Sequence, residues 1–522
     1  MQFIKEALGH HVVPQAKHDS DGQKRWECHE ETREGVLDEI GLWASSLSET
    51  ENCWWITGRP GVGKSTIGSK VVEIFDDKKC LFAQYFVTRN IAATTDPDKI
   101  LPTMAQQLAE KSPWASLAIR DRLETTPVSD VKRLSDHQVQ ALLLEPLRAI
   151  AQYSPNVMVV VVIDGVDELA DTAPLILSNV TSVLCRNMAD LPPNVKILIF
   201  SRPEQSIISK IPRHIKRLDL VTEISKNDVT RLVRAKLGEL AEFYEWKDWP
   251  SESQVSQLCQ LAAGHLGLAA TALRWIARQI EWEGSTRRDK VIDEVSQLGM
   301  GELDTLYAFI LDRILPPPQD PARKRFLKGL KKVLGCLVVL QEPLDIGIIS
   351  TLLPPDDFDV LHCMRRISSL VVDGTEPLTE RTVPTVHKSV VDYLVSNRPH
   401  EDLRIDPTEH HHSITTSCFE IIQKLTFNVG HITTSHKLDR KISSISKGII
   451  YRCHWLGHHL ENGGERATLV REVEKFMKVH FLQWLEVMGL QNLEDSAAVS
   501  TLKILEKQMK VSIILFEISI WF

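Results

Sequence analysis

The segment Gly58-Arg59-Pro60-Gly61-Val62-Gly63-Lys64-Ser65 most constrains the fold, because it fits the phosphate-binding pattern G-x-x-x-x-G-K-[ST]. A β-rich run, Cys53 to Thr57, leads into it, and the helical pattern that follows has the apolar residues Ile67, Val71, Val72, Ile74 and Phe75. Strand, loop and helix in this order are the context that the pattern requires. The alternative is a glycine-rich turn that carries Lys-Ser by chance, and the flanking elements disfavour it.

The residue types of this loop fit a site for a nucleotide and Mg²⁺. Glycines let backbone N–H groups curl around phosphate oxygens, and the N-terminus of the following helix favours anions. We expect Lys64 to reach the β- and γ-phosphates and the Ser65 hydroxyl to bind Mg²⁺. The predicted contacts to ATP or ADP from this segment are Gly58, Pro60, Gly61, Val62, Gly63, Lys64, Ser65 and Thr66.

Four more β-rich runs follow the loop, at residues 81–87, 157–163, 195–201 and 214–220, with helical patterns between them. Near-continuous apolar strands separated by helices imply a parallel sheet covered on both faces. The sequence therefore predicts an α/β P-loop NTPase domain over residues 26–222.

Charged residues follow two of these strands, at the edge where open parallel sheets bind their ligands. Asp164 ends the run from Val157 and is the candidate Walker-B residue for Mg²⁺. Many fast P-loop ATPases have a glutamate in the next position, but this chain has Gly165, and its nearest carboxylates are Asp167 and Glu168. This substitution favours slow or switch-like hydrolysis.

Arg202 follows the run from Val195 to Ser201. Because a guanidinium group matches phosphate geometry with two parallel hydrogen bonds, Arg202 is a candidate to sense or stabilise a γ-phosphate. A solvated arginine after a strand is the alternative.

Outside the α/β domain, helical periodicity dominates. The capping-box pattern Ser225-Lys226-Asn227-Asp228 predicts the start of a helix, and the proline-rich run at 316–321 predicts a hinge. Three helices (322–340, 343–353, 356–369) followed by a β-hairpin (370–374 and 382–386) suggest a winged-helix module. The predicted segments are a polar, His-rich extension (1–25), a helical domain (223–315), a winged-helix domain (316–400), a C-terminal helical region (401–510) and an apolar tail (511–522).

Composition narrows the function classes. The net charge of -8 argues against a surface that coats nucleic acid. Nine cysteines, scattered and never in a C-x-x-C pair, indicate a reducing compartment. We find neither a secretory signal nor an apolar run long enough to span a membrane, so the expected location is the cytoplasm.

Two histidine patterns resemble metal sites, and we interpret both as structural. His454 and His458 stand four apart on a helix, but Trp455 occupies the position where a zinc protease needs a glutamate. The run His410-His411-His412 is expected on the surface at a helix start. The winged-helix pattern, whose third helix carries only Arg365 and Arg366, is expected to be structural rather than DNA-binding.

Taken in order, GRPGVGKST at 58–66, VVVVIDGVDEL at 159–169 and ILIFSRPE at 197–204 resemble the NACHT domain of the STAND class of signal-transduction NTPases. The likeness is to fungal members whose nucleotide domain is also described as nephrocystin-like. It implies an ADP-bound resting state that opens and oligomerises on exchange for ATP, with weak ATPase activity, in innate-immune or incompatibility signalling. It also implies that Thr32 and Arg33 lie near the adenine and that His387 is the winged-helix histidine that contacts the ADP phosphates.

Family members usually add an effector domain and sensor repeats, which suggests that this chain is a truncated or alternative product. Two other functions remain open from the sequence. One is a P-loop ATPase that remodels a partner through continuous turnover. The other is a regulatory fragment that binds proteins through its helical region and keeps the loop only as a folding aid.

Overall fold

The computed structural model describes the chain in two compact units, residues 1–310 and 311–522. The described residues are 1–20, 33–47, 52–89, 91–125, 134–170, 181–186, 188, 191–213, 215–220, 226–298, 302–354, 358–371, 382–383, 386–397, 399, 403–429, 445–464, 467–490 and 498–507.

The first unit is built on a parallel five-stranded sheet in the order β2-β3-β4-β1-β5. The strands are β1 Cys53–Thr57, β2 Leu81–Phe86, β3 Val159–Asp164, β4 Val195–Ser201 and β5 Lys216–Asp219. Each of the five predicted β-rich runs overlaps one of these strands, and the α/β fold class is confirmed. β4 lies between β1 and β3, so its carboxyl end separates the phosphate loop from the end of β3.

Helices cover both faces of the sheet. Because alternate residues of each strand point to opposite sides, the strands contribute side chains to two buried cores. Trp55, Val161 and Ile199 belong to one buried core and Trp54, Val162 and Phe200 to the other. The described helices of the first unit before residue 220 are α1 Gln2–Leu8, α2 Glu34–Ser45, α3 Lys64–Asp77, α4 Ala92–Thr95, α5 Ile100–Lys111, α6 Pro113–Thr125, α7 Asp136–Val139, α8 Glu145–Tyr153, α9 (residues 181–186) and α10 Gln205–Ile208.

The N-terminal segment corrects one prediction, because residues 1–20 are part of the α/β core rather than a polar extension. Ile4 and Leu8, one helical turn apart on α1, are buried, and α1 packs on α5 and α6. The amide of Val13 donates to the Thr103 hydroxyl at 3.0 Å. Because Ile4 and Leu8 share one helix face, both apolar side chains are buried on the same side of α1.

A helical segment follows, formed by α11 Lys226–Phe243, α12 Glu252–Ala262, α13 Leu266–Glu283, α14 Arg288–Ser296 and α15 Leu303–Ile314. The predicted capping residue Ser225 lies outside the described residues. A capping box is present instead at the start of α12, where Ser251 and Gln254 bond each other's backbone.

The second unit is mainly helical in its described part. It comprises α16 Ala322–Val339, α17 Ile346–Leu352, α18 Val360–Val371, α19 Lys388–Val395, α20 Pro407–Ile422, α21 Lys447–Asn462, α22 Ala467–Lys475, α23 Phe481–Leu490 and α24 (residues 498–507). Two short strands, β6 Leu344–Asp345 and β7 Thr382–Val383, pair in antiparallel fashion. None of the helices described in either unit is long and apolar enough to cross a membrane.

The predicted hairpin is wrong in its first strand. Leu370 and Val371 are the last residues of α18, and residues 372–381 lie outside the described part. Thr382-Val383 pairs instead with Leu344-Asp345, which precedes α17. A short apolar run such as Leu370-Val371 is compatible with helix or strand, and burial against the other helices decides it here. The winged-helix domain itself stays a prediction.

The run of three histidines also differs from expectation, because His411 is buried where α20 packs on α21. Its Nδ1 lies 2.8 Å from Nδ1 of His459, which is fully buried, and Nε2 of His459 lies 2.9 Å from the Tyr451 hydroxyl. Burial and the neighbouring imidazoles of His411 and His458 hold the pKa of His459 well below its ordinary value. Burial also lowers the pKa of His458 to about 4.

The lowered pKa values of His458 and His459 make the second unit sensitive to acid. In the unfolded chain these two rings take up protons at about pH 6.5, whereas in the folded chain they do so only at lower pH. The folding stability present above about pH 6.5 is therefore lost as the pH falls. We expect protection of α20 and α21 against amide hydrogen exchange to fall between pH 6.5 and 5. His458→Gln should weaken this pH dependence, whereas the control substitution His137→Gln, at an exposed position, should leave the pH dependence unchanged. Equal pH dependence in the wild type and His458→Gln would contradict the prediction.

Candidate phosphate-binding site

The loop between β1 and α3 begins where a fully buried strand ends and closes where a helix of 14 residues starts. Gly61 and Gly63 have φ angles of 74° and 93°, in the left-handed region that favours glycine. Gly63 is the N-cap of α3, so Lys64, Ser65 and Thr66 form the first turn of that helix. The N-terminus of α3 therefore faces the loop, where it favours a bound anion.

Lys64 folds back over the loop. Its Nζ donates to the carbonyl of Gly58 at 2.8 Å and to that of Arg59 at 3.3 Å. The side chain thus holds the first two carbonyls of the loop, and its ammonium group stands where the loop and α3 meet.

Three residues from other segments hold the next three carbonyls. Nε2 of His265 lies 2.8 Å from the Pro60 carbonyl oxygen, and the amide of Gly267 donates to Gly61 at 2.9 Å. The buried guanidinium of Arg33 donates from Nη2 to the carbonyl of Val62 at 2.5 Å. Every carbonyl from position 58 to position 62 therefore accepts a hydrogen bond from Lys64, His265, Gly267 or Arg33.

Holding these carbonyls also orients the amides. The C=O and N–H groups of a planar trans peptide point in opposite directions. The N–H groups of Gly61 and Gly63 share peptide planes with the carbonyls of Pro60 and Val62, and so face the opposite side of the loop. Successive N–H groups turned to one side form an anion-binding nest.

The acidic edge of the sheet lies at the end of β3. Asp164, the last residue of that strand, is fully buried. Gly165 follows with a φ angle of 79°, and a Cβ atom there would stand 2.7 Å from the carbonyl oxygen of Val87. Both conditions require glycine, so this backbone does not accept a glutamate directly after Asp164.

The next two carboxylates are engaged with neighbouring strand ends. Asp167 accepts from the backbone amide of Arg202 at 2.9 Å and forms an ion pair with its Nε at 3.3 Å. Glu168 accepts from the backbone amide of Arg89, just beyond β2, at 2.9 Å. Asp167 thus anchors Arg202 at the end of β4, while Glu168 links the turn to β2.

The charges of this edge converge on Lys64. Burial lowers the pKa of Lys64, and Arg202 adds to that effect, whereas Asp167, Asp164 and Glu168 oppose it. The ammonium group of Lys64 is partly desolvated and lies at the centre of the site, close to three carboxylates and a guanidinium group. A bound polyphosphate would supply the negative charge that such a partly buried cation favours.

The structure brings together the loop residues, Lys64, Asp164, Asp167, Arg202 and Arg33. Thr32 lies outside the described residues. His387 lies in the second unit as the N-cap of α19, where its Nδ1 contacts the Ser389 hydroxyl at 2.6 Å.

Sequence reasoning missed the contacts of His265 and Gly267. No motif in the sequence assigns either residue to the loop. In the structure, α12 ends just before Ala263 and Gly264, which both have positive φ angles, and His265 follows them directly. Gly264 is a sequence signal for the end of a helix, but it does not indicate the contact of His265 with Pro60.

Comparison with known families gives one match. Residues 32–202 match the family model described as Nephrocystin 3, N-terminal. No curated protein matches the sequence.

Three solved structures are similar in part. They are a Walker-type ATPase of Pyrococcus abyssi (12% identity, 71% of this chain, 98% of that chain, TM-score 0.33), Cdc6p from Pyrobaculum aerophilum (14%, 77%, 99%, TM-score 0.30) and Drosophila ORC bound to DNA (14%, 66%, 83%, TM-score 0.27). The α/β P-loop NTPase fold itself is evident from the strand order and the strand–loop–helix unit.

The contact between Gly267 and the loop predicts the effect of one added methyl group. A Cβ atom at Gly267 would stand 2.2 Å from the Gly61 carbonyl oxygen, whereas one at Gly238 in α11 would meet nothing within 4 Å. We expect Gly267→Ala to push α13 from the loop and to lower the thermal stability of the first unit. Gly238→Ala should stabilise it slightly, by up to about 1 kcal/mol, through helix propensity. Thermal unfolding of both variants tests this, and equal stabilisation would contradict the contact.

Proposed function

We propose that this chain binds ATP and ADP with Mg²⁺ at the loop from Gly58 to Ser65 and acts as a nucleotide-controlled switch that hydrolyses ATP slowly. The observation that carries the proposal is the set of hydrogen bonds that holds all five carbonyls from Gly58 to Val62. These bonds preorganise the loop, so binding a phosphate chain requires little further ordering.

Each residue has a chemical role in this proposal. Lys64 contacts the β- and γ-phosphates, and Gly58, Pro60, Gly61, Val62, Gly63 and Thr66 line the loop and the first helical turn. The Ser65 hydroxyl and the buried carboxylate of Asp164 hold Mg²⁺, which neutralises phosphate charge when it is bound.

Slow hydrolysis follows from the residues after Asp164. Efficient attack by water needs a general base or a water-positioning residue beside the γ-phosphate. Glycine is required at position 165, Asp167 is paired with Arg202, and Glu168 accepts from the backbone of Arg89. In this arrangement Arg202 is the candidate γ-phosphate sensor, and Asp167 and Glu168 remain the candidate catalytic carboxylates.

The signalling part of the proposal comes from the family resemblance and the match to the nephrocystin-3 model. It comprises ADP retention at rest, opening and self-association with ATP, adenine contacts from Thr32 and Arg33, and a phosphate contact from His387. Cytoplasmic innate-immune or incompatibility signalling, through protein partners still unknown, is the cellular role we infer. That nucleic acid is not a partner stays a prediction from the net charge.

The nucleotide claim is tested on Lys64. Lys64→Ala removes a partly desolvated cation and should weaken ADP binding by about 10- to 100-fold, since charged hydrogen bonds contribute about 1.5–3 kcal/mol each. Lys70→Ala, on the exposed face of the same helix, is the matched control and should bind as the wild type does. Mass analysis of retained nucleotide and titration with labelled ADP measure this. A wild-type protein without affinity for ADP or ATP would refute the proposal.

Turnover separates the switch from an ATPase that remodels a partner continuously. We expect fewer than about one ATP hydrolysed per second, below the typical enzyme value of about 10 per second. Asp164→Asn should reduce this rate further, because it weakens the Mg²⁺ site. Steady-state phosphate release provides the measurement. Turnover of many ATP per second without an activator, abolished by Asp164→Asn, would favour the remodelling ATPase.

A further inference from the structure

His265 joins the first turn of α13 to the phosphate loop through both ring nitrogens. As the N-cap of α13, it accepts at Nδ1 from the backbone amide of Leu268 at 3.2 Å. Its Nε2 lies 2.8 Å from the Pro60 carbonyl oxygen, and that oxygen is an acceptor only. The hydrogen bonds therefore assign the neutral tautomer with its proton on Nε2, which is the form that satisfies both partners.

The charges around this imidazole favour the neutral form. Burial is the main cause of its lowered pKa, and the nearby positive charges of Arg33 and Lys64 add to it, while the hydrogen bond to Pro60 opposes it. A protonated ring would turn a second donor toward the amide of Leu268. The link between helix and loop thus uses an uncharged side chain that both donates and accepts.

The same turn of α13 lies directly on the loop at Gly61. A Cβ atom on Gly61 would stand 2.8 Å from Cε1 of His265 and 2.9 Å from Cδ1 of Leu303. Gly267 adds the hydrogen bond to the Gly61 carbonyl. The peptides on both sides of Gly61 therefore contact the helical segment through their carbonyl groups.

We propose that His265 is a positioning residue of the phosphate loop, which makes retention of bound nucleotide depend on the position of α13. This inference deepens the proposed function and rests on it. When Nε2 holds the Pro60 carbonyl, the amide of Gly61 is fixed toward the phosphates. When that bond is lost, the peptide is able to rotate and the amide is misdirected. A displacement of α13 would then release the nucleotide even though no residue that contacts the nucleotide is substituted.

Three substitutions at this position separate the loop contact from the helix cap. Asparagine places its oxygen near the position of Nδ1 and keeps the cap on Leu268, but it is too short to reach Pro60. Glutamine places its amide nitrogen near the position of Nε2 and keeps the donor to Pro60. Alanine removes both contacts.

The experiment measures release of fluorescently labelled ADP from the full-length chain after mixing with excess ADP. We expect His265→Ala and His265→Asn to release it about 10-fold faster than the wild type, and His265→Gln to stay within about 3-fold, in line with the loss or retention of one hydrogen bond. Thermal unfolding is the parallel readout, in which His265→Asn should be less destabilised than His265→Ala because it keeps the cap.

The outcomes distinguish this inference from the proposed function. Wild-type release rates in His265→Asn, or equal rates in His265→Gln and His265→Ala, would overturn the positioning role while nucleotide binding stands. A wild-type chain that does not bind labelled ADP would overturn both.

Discussion

The outward hydrogen bonds of the phosphate loop are the constraint on which the site depends. A loop of glycines has little intrinsic preference for one conformation, since glycine loses more backbone freedom on folding than any other residue. Here Lys64 restrains the loop locally, and Arg33, His265 and Gly267 restrain it from segments about 30 residues before and 200 residues after it. The shape of the phosphate site is therefore a tertiary property of the first unit.

The end of β3 imposes the second constraint, through steric contact rather than charge. The carbonyl of Val87 comes so close to Gly165 that no side chain fits there. The position of Val87, the residue after β2, thus determines which residue follows Asp164, the proposed Mg²⁺ ligand. It thereby limits the chemistry that this edge of the sheet supports. Asp167 and Glu168 then stabilise the turn, because they accept hydrogen bonds from the backbone of residues that follow β4 and β2.

Local patterns allowed correct prediction of the sheet and the loop, and they failed where distant segments meet. The strands were predictable because fully buried parallel strands are continuous apolar runs, as in Val159–Ile163. The strand–loop–helix unit was predictable because the pattern G-x-x-x-x-G-K-[ST] fixes residue types at fixed spacing. The contact of His265 with Pro60, 205 residues earlier, and the pairing of β7 with β6, 37 to 39 residues earlier, depend on distant partners, and no local pattern specifies them. His411 belongs to this class as well, because His459 supplies its partner.

A preorganised loop and a missing glutamate favour the same behaviour. Preorganisation lowers the entropic cost of binding. It strengthens the affinity for ground-state nucleotide as much as that for the transition state, and such uniform binding does not accelerate the chemical step. Without a base directly after Asp164, and with Asp167 and Glu168 bonded to neighbouring strand ends, the barrier to attack by water stays high. The proposed site would therefore hold nucleotide longer than it takes a turnover enzyme to complete a cycle. Under that condition the rate of exchange, and hence the contact between α13 and the loop, would control the state of the molecule.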